Sequence, residues 1–317
     1  MSASGKVDAA ALLGSARRPL VLGIGGGGDV VGALASAELC RLYHGAEPVV
    51  GGTTWERRVI DPEPGPRSEA EIEGARTLAP AVLAAGPQTR VRQSGVAFAE
   101  SRMAGLLDEE TVLVDVTRGP KVIAEGLAGA AEGLGCDLIV FVDVGGDVLG
   151  HGDEPGLASP LCDAVLLAAA SRLADAGHDV LGAVFGAGCD GELAPGVVME
   201  RLAEVAAAGG LAGAWGLTAA VAERLRQAIE AIPTEASAMA LRCFEGGTGT
   251  TTIRGGRRTV ELSPVGATTF YYDVPAALRS AARLAAAVRD AGDLEQANTV
   301  LNDLGVSTEL DYERANV

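Results

Sequence analysis

The chain has 317 residues, of which 48% are hydrophobic, and this is enough to build a large buried core. The composition excludes an intrinsically disordered chain and a disulfide-stapled miniprotein. With 25 basic and 42 acidic residues, the net charge is −17, which repels polyanions at long range and argues against nucleic-acid binding.

The sequence predicts neither membrane insertion nor secretion. It has no run of about 18 uncharged apolar residues, and its first ten residues lack the basic and apolar segments of a signal peptide. The five cysteines form no CxxC pair, so we interpret them as small buried side chains in a reducing compartment. We therefore expect a cytoplasmic protein without a membrane partner.

Apolar segments of strand length alternate with Ala- and Leu-rich segments of helical spacing. Strands are predicted at 19–24, 111–116, 138–144 and 180–185, and helices at 30–43, 121–134, 159–176, 196–209, 217–231, 276–290 and 294–304. Strands that are apolar throughout indicate a mostly parallel sheet with helices on both faces. The predicted fold class is therefore α/β, doubly wound and Rossmann-like.

Two short segments, 250–253 and 257–262, flank Arg254-Gly255-Gly256 and predict a small C-terminal β-hairpin. We expect this hairpin at one edge of the sheet or above the functional site. No linker rich in proline, serine or charge interrupts the chain, and no repeat of solenoid period occurs. We therefore predict a single α/β domain over residues 1–317, with 245–265 as a hairpin insertion.

A glycine-rich loop follows the first predicted strand and contains Gly25, Gly26, Gly27, Gly28 and Asp29. It matches the GxGxxG pattern, in which backbone N–H groups and a helix N-terminus bind phosphate. Three interpretations are open: a phosphate or nucleotide loop, an NAD(P) site, and a tight structural turn. NAD(P) is disfavoured because Asp29 would repel a pyrophosphate and because Glu47, the nearest candidate for the ribose, precedes Pro48.

The segment 51–68 contains one of only two tryptophans, Trp55, followed by Glu56, Arg57 and Arg58, and it is rich in proline. Arginines in such a loop could bind a carboxylate or phosphate through paired hydrogen bonds. The alternative is a connecting loop that proline fixes and whose charges pair with one another.

The loop 143–154 follows a predicted strand, so its acids are expected at the carboxyl end of the sheet, where open α/β folds bind ligands. Its hard oxygen donors and one imidazole favour a divalent cation such as Mg²⁺ or Mn²⁺, with Asp147, His151 and Asp153 as candidate ligands. Without a metal, Asp143 and its neighbours would raise one another's pKa and could serve as general acid and base. A solvated acidic loop is the structural alternative.

A second acidic loop follows the next predicted strand and carries Asp190 and Glu192. If the two strands pair, the two acidic loops are neighbours, and Asp163 on the intervening helix could extend the cluster. The predicted hairpin adds a compact basic cluster, which is either an anion site or a solvated tip, and which consists of Arg254, Arg257 and Arg258.

Eight segments spread over nearly the whole chain resemble the motifs of one protein family. They are 25–32, 55–57, 61–67, 143–147, 190–193, 234–237, 253–258 and 308–311. Together, from about residue 18 to residue 313, they resemble the archaeal and actinobacterial family called domain of unknown function 1152. This resemblance implies no activity and no catalytic residues. Segment 143–150 also resembles the Asp-Gly-Gly-Asn-Glu loop of D-glutamate cyclases, which eliminate water from a small dicarboxylate.

These observations lead to the hypothesis that the protein is a metabolic enzyme. Its substrate would be a small anion, either phosphorylated or nucleotide-like, and the reaction would be hydrolysis or elimination. Residues expected to hold a divalent metal or to act as acid and base are Asp143, Asp147, Asp190 and Glu192. Residues expected to bind the substrate are the glycine loop with Asp29, Trp55, Glu56, Arg57 and Arg254. The alternatives are a non-catalytic nucleotide-binding or regulatory protein and an NAD(P)-dependent oxidoreductase. The Ala- and Gly-rich, aromatic-poor composition is compatible with a homo-oligomer.

Overall fold

The computed structural model describes residues 7–316. Its strands, numbered in chain order, are β1 (Pro19–Gly23), β2 (Val49–Thr53), β3 (Ile72–Ala79), β4 (Val82–Val91), β5 (Thr111–Val114), β6 (Leu138–Val144), β7 (Val180–Phe185), β8 (Leu211–Gly216), β9 (Gly249–Ile253), β10 (Arg258–Leu262) and β11 (Thr268–Tyr272). Its helices are α1 (Ala9–Ser15), α2 (Asp29–Leu39), α3 (Ala99–Leu107), α4 (Gly119–Leu134), α5 (Pro160–Asp175), α6 (Pro195–Ala207), α7 (Ala219–Ala231), α8 (Glu235–Phe244), α9 (Val274–Arg279), α10 (Arg283–Ala287), α11 (Leu294–Asp303) and α12 (Glu309–Ala315).

Nine strands form one sheet in the order β3-β4-β5-β2-β1-β6-β7-β11-β8. The five central strands, β5, β2, β1, β6 and β7, are parallel to one another. Strands β4 and β11 pair with their neighbours in the antiparallel direction. The prediction of a mostly parallel, doubly wound α/β fold is confirmed.

The side chains of the central strands divide between two cores, one on each face of the sheet. Leu20 and Leu22 of β1 pack with residues of α4 and α5, whereas Val21 between them packs with residues of α2. Phe141 and Val140 of β6 divide in the same way. Each such buried side chain stabilises the fold by about 1.5–3 kcal/mol. Burial on both faces explains why these strands are apolar at every position.

The sheet has a topological switch point between β1 and β6. The chain leaves β1 through α2 and continues to β2 on one side, whereas it leaves β6 through α5 and continues to β7 on the other side. Because the two connections diverge, a crevice opens at the carboxyl ends of β1 and β6, where folds of this class bind ligands. The predicted glycine loop and the first acidic loop both begin there.

The predicted hairpin is present as β9 and β10, which pair antiparallel. It forms a separate two-stranded sheet rather than an edge of the main sheet. Ile253, Val260 and Leu262 anchor it in the core that also contains α2 and α8. This packing places the hairpin turn above the carboxyl ends of the central strands, where Arg254 and Arg258 face the acidic loops.

The structure differs from the predicted elements at several points. Strands β2, β3, β4, β8 and β11 were not predicted, and the helix expected at 276–290 is divided into α9 and α10. The division occurs at Ser280, which leaves the helical region (φ −124°, ψ −82°) and donates its hydroxyl to the Ala276 carbonyl at 2.8 Å. Within residues 7–316, no helix is long and apolar enough to cross a membrane.

Candidate active site

Six carboxylates and three guanidinium groups line a small chamber in the crevice between β1 and β6. The free volume of the chamber is about 10 Å³, which is room for about one water molecule. All six acids are buried, with at most 8% of each residue exposed. The acids are Asp29, Asp143, Asp147, Asp163, Asp190 and Glu192, and the cations are Arg57, Arg254 and Arg258. The chamber thus brings together the four predicted acid-base residues and adds Asp29 and Asp163.

The first acidic triad consists of Asp29, Asp143 and Asp163, each of which has a carboxylate oxygen within 4.8 Å of the other two. Asp29 follows β1, and its Oδ2 accepts the N–H of Gly25 at 3.0 Å. Asp143 lies near the end of β6, and its Oδ2 accepts the N–H of Gly146 at 2.9 Å. Asp163 belongs to the first turn of α5, and its Oδ1 has no hydrogen-bond partner among the described residues. These three acids therefore converge on one point from the start of α2, the end of β6 and the start of α5.

The second triad consists of Asp147, Asp190 and Glu192, which also meet within 4.8 Å. Glu192 is the most strongly bound of the three, since Arg258 lies 2.8 Å from its Oε1. Its Oε2 accepts the backbone N–H of Ser159 at 2.9 Å, and the Ser159 hydroxyl contacts its Oε1. Glu192 thus stays ionised and fixes the segment before α5.

Burial and mutual repulsion set the protonation of these acids. Burial, with the charges of neighbouring acids, raises the pKa of Asp143, Asp147 and Asp163 well above the usual value. Burial and then the charge of Glu192 raise the pKa of Asp190 to about 8. Burial would also raise the pKa of Glu192, but Arg258 and the Ser159 hydroxyl outweigh it and lower that pKa. The second triad therefore contains a carboxyl group that is protonated near neutral pH beside one that is ionised.

A larger cavity of about 590 Å³ lies beside the chamber and is lined by five of the chain's 25 basic residues. These are Arg57, Arg58, Arg254, Arg257 and Arg258. The volume lies within the range of small-molecule sites. Because Arg57, Arg254 and Arg258 line both the cavity and the chamber, an anion bound in the cavity would lie next to the acids.

Backbone contacts hold the arginines in place. Arg57 donates from Nη2 to the Gly25 carbonyl at 2.9 Å. Burial lowers the pKa of Arg57, but Asp29 and other acids outweigh it and raise that pKa, so the side chain is a permanent cation. The Glu235 carboxylate accepts the backbone N–H of Arg254 at 3.0 Å and thereby fixes the hairpin turn.

The C-terminal helix α12 forms one wall of the arginine-lined cavity, a role that the sequence analysis did not assign. The Glu309 carboxylate accepts the N–H groups of Leu161 and Cys162 at 3.0 and 2.9 Å and so caps α5. The Glu313 Oε2 accepts the Trp55 indole N–H at 3.1 Å and the Gly65 N–H at 2.8 Å. Glu309 lies in a segment of the family resemblance, but Glu313 carries no sequence pattern that would have identified it.

The glycine loop is a tight turn that other residues cover. Gly26 and Gly27 have φ of 79° and 57°, in the left-handed region, and Gly27 donates its N–H to the Trp55 carbonyl at 2.7 Å. A Cβ at Gly27 would lie 2.7 Å from Cγ of Arg57, and one at Gly28 would lie 2.4 Å from Cβ of Thr234. Neighbouring side chains thus occupy the space that a Cβ would need at these two positions, which explains the glycines by packing and favours the structural interpretation of the loop.

Trp55 and Glu56, expected to bind ligand, have different surroundings. Trp55 is 3% exposed and packs in the core. Glu56 accepts the Ala99 N–H at 2.5 Å and borders a second cavity of about 240 Å³, which also touches Gly28 and Asp29. Trp55 therefore supports the loop, whereas Glu56 faces a space that a small group could enter.

The three residues predicted as metal ligands are not brought together. Asp147 groups with Asp190, whereas His151 and Asp153 group with Glu154 outside the chamber. There, His151 Nε2 lies 3.0 Å from Glu204, and Arg201 contacts both Glu154 and Glu204. These ion pairs give the His151 group an evident structural role.

Comparison with known proteins yields a family but no activity. A family profile described as protein of unknown function (DUF1152) matches residues 20–317, nearly the whole chain. Neither the curated proteins nor the solved structures contained a match. The chain therefore belongs to the DUF1152 family of proteins of unknown function.

Proposed function

We propose that the protein is an enzyme that hydrolyses a small phosphorylated, nucleotide-sized substrate with the help of a divalent metal ion. The observation that carries this proposal is the position of a five-arginine cavity directly beside a buried chamber of six carboxylates. In a chain with a net charge of −17, such a local concentration of arginines is unusual, and this supports a role in binding an anion.

The volumes of the chamber and of the arginine-lined cavity suit different occupants. The chamber, at about 10 Å³, admits an ion or a water molecule but no organic group. The cavity, at about 590 Å³, is large enough for a phosphorylated metabolite. Tyr312 and Val59 on the cavity rim are 53% and 81% exposed, and they offer apolar surface to the uncharged part of the substrate. The reacting phosphorus would thus lie at the boundary between the two spaces.

The roles of the side chains follow from their charges. Arg57, Arg254 and Arg258 would bind the phosphoryl oxygens and stabilise the charge that develops on them. Carboxylates of the chamber would hold the ion, and the chemistry that it would supply there is that of a Lewis acid, which favours ionisation of a water nucleophile. Asp190, whose pKa is about 8, would protonate the leaving oxygen.

Elimination of a group from a small dicarboxylate is the second candidate. It is favoured by the second triad, in which Asp190 has a raised pKa and Glu192 a lowered one. Two carboxyl groups with separated pKa values can serve as acid and base in elimination. The arginines would then bind the substrate carboxylates.

The test is release of inorganic phosphate from nucleoside phosphates and sugar phosphates, with a small hydroxy-dicarboxylate as the elimination substrate, each with Mg²⁺ or Mn²⁺. For the substrate that is turned over, Asp190→Asn should lower kcat by at least about 100-fold. Arg257→Gln should raise KM about tenfold, whereas Arg226→Gln, in an exposed ion pair, should change neither constant.

Two results would decide against hydrolysis. Formation of an unsaturated product from the dicarboxylate without phosphate release would establish elimination instead. Thermal stabilisation by a phosphorylated ligand without turnover would indicate a ligand-binding protein.

A further inference from the structure

We propose that Asp29, Asp143 and Asp163 form a binding site for one divalent cation, Mg²⁺ or Mn²⁺. This site differs from the set predicted from sequence, which was centred on His151. It rests on the proposed function only for the catalytic use of the ion, since binding itself is measured without a substrate.

The geometry of the triad fits shared coordination. One oxygen of each carboxylate lies within 4.8 Å of the other two, which is compatible with ligands around a common hard cation. Backbone N–H groups fix one oxygen of Asp29 and one of Asp143. Each of these carboxylates keeps its second oxygen for another partner, and the donor set contains only oxygen, which suits Mg²⁺ and Mn²⁺.

The Asp163 side chain provides a second, independent observation. The residue is 2% exposed, and its Oδ1 has no hydrogen-bond partner within residues 7–316. An ionised carboxylate oxygen that is buried without a partner is strongly unfavourable. Asp163 lines the chamber together with Asp29 and Asp143, and a cation there would satisfy the unpartnered oxygen.

Gly25 leaves the space that such an ion needs. A Cβ at this position would lie 2.6 Å from Asp29 Oδ2 and 3.2 Å from Asp163 Oδ2. The glycine therefore allows two carboxylates from opposite faces of the sheet to approach each other. Its replacement by alanine would push a methyl group between the two proposed ligands.

Each of the other two acidic triads has a direct ion pair with an arginine, although Asp190 Oδ1, like Asp163 Oδ1, is buried without a hydrogen-bond partner among the described residues. In the second triad, Glu192 is bound by Arg258 and Ser159. Around His151, the Glu154 carboxylate pairs with Arg201 and accepts backbone N–H groups. Among the described acidic triads, the one at Asp163 is free of a direct ion pair.

The experiment is a titration of the metal-free full-length protein with MnCl₂, followed by calorimetry and by metal analysis after gel filtration. We expect one Mn²⁺ per chain for the wild type. Asp163→Asn and Gly25→Ala should weaken Mn²⁺ binding by at least about 100-fold, in line with the loss of a metal ligand. Asp153→Asn, in the exposed group near His151, should leave Kd unchanged, and Asp190→Asn should weaken binding by less than about tenfold.

Folding of the variants is checked by thermal unfolding without metal. Asp163→Asn replaces a buried carboxyl group whose ionised form is disfavoured, as its raised pKa shows, with a neutral amide of similar size, so the metal-free variant should melt no lower than the metal-free wild type. A wild type that binds no Mn²⁺ at millimolar concentration would overturn the proposal. So would loss of binding in Asp153→Asn with retention in a folded Asp163→Asn.

The experiments distinguish failure of the metal site from failure of the proposed hydrolytic function. One bound Mn²⁺ that depends on Asp163, without hydrolysis of any phosphorylated compound, would support the site and contradict the function. Metal-dependent hydrolysis that proceeds unchanged in Asp163→Asn, with Mn²⁺ bound as tightly as in the wild type, would support the function and overturn the site.

Discussion

Raising the pH from 6 to 8 should destabilise the metal-free protein. The perturbation acts on buried carboxyl groups that are protonated in the folded state at neutral pH. Burial raises the pKa of Glu309 to about 7, although the N–H groups of Cys162 and Leu161 oppose this, and burial with Glu192 raises the pKa of Asp190 to about 8. In the unfolded chain both groups ionise near pH 4.

The sign and size follow from proton binding. Between pH 4 and 8 the folded state holds more protons than the unfolded state, so stability is greatest at the acidic end and falls as pH rises. At pH 7 Glu309 is about half protonated and Asp190 about nine-tenths protonated, so these two groups contribute a difference of about 1.4 protons, and the raised pKa values of Asp143, Asp147 and Asp163 add to it. The free energy of unfolding should therefore fall by at least about 2 kcal/mol per pH unit near pH 7, which lowers Tm by at least about 3 °C.

Thermal unfolding of the metal-free protein between pH 5.5 and 8 measures this dependence directly. Asp190→Asn removes one of the titrating carboxyl groups and should make the dependence of Tm on pH shallower near pH 7, and saturating Mn²⁺ should make it shallower still. Asp179→Asn, at an exposed position just before β7 and so at the opposite end of that strand from the Asp190 loop, serves as a control and should follow the wild type. A Tm that stays constant or rises from pH 6 to pH 8 would refute the reasoning.

Two further predictions concern positions that hold the site in shape. Glu313→Gln weakens the contacts of α12 to Trp55 and Gly65 and should lower the free energy of unfolding by about 1–3 kcal/mol in urea denaturation. Glu295→Gln, in the exposed pair with Arg314, should cost less than about 1 kcal/mol, and equal losses would contradict the role of Glu313. Gly145→Ala, at φ 134° with a Cβ 2.3 Å from Asp190 Oδ1, should cost about 2 kcal/mol or more and reduce turnover. Gly196→Ala, in open space on α6, is the control and should be neutral or stabilising by up to about 1 kcal/mol. A neutral effect of Gly145→Ala would contradict the predicted clash between its Cβ and Asp190.

The central strands were predictable because burial on both faces leaves a clear pattern. Segments 138–144 and 180–185 are apolar at nearly every position, and the structure places them as β6 and β7. Strand β2 was not predicted because Gly51 and Gly52 interrupt its short apolar run. The hairpin β3–β4 was not predicted because its turn lacks the usual glycine or asparagine signal. The residue with positive φ in this turn is Ala81, at φ 64°.

The acidic loops were predictable because the ends of parallel strands meet at one edge of the sheet. Their internal grouping was not, since it depends on which way each loop folds. His151 follows Asp147 by four residues, yet it turns away to pair with Glu204. Asp163 lies shortly after the first loop and was expected to extend the cluster from α5. Glu309, in contrast, is far from the loops in sequence and reaches the site through α12. Such long-range contacts leave no local pattern in a single sequence.

A crystal grown with MnCl₂ and measured at the manganese absorption edge tests the central claim most directly. We predict one anomalous peak per chain, between the carboxylates of Asp29, Asp143 and Asp163 at the carboxyl ends of β1 and β6. A peak beside His151 and Glu154, or no peak within the chamber at full Mn²⁺ loading, would contradict a metal-dependent centre at this point of the sheet.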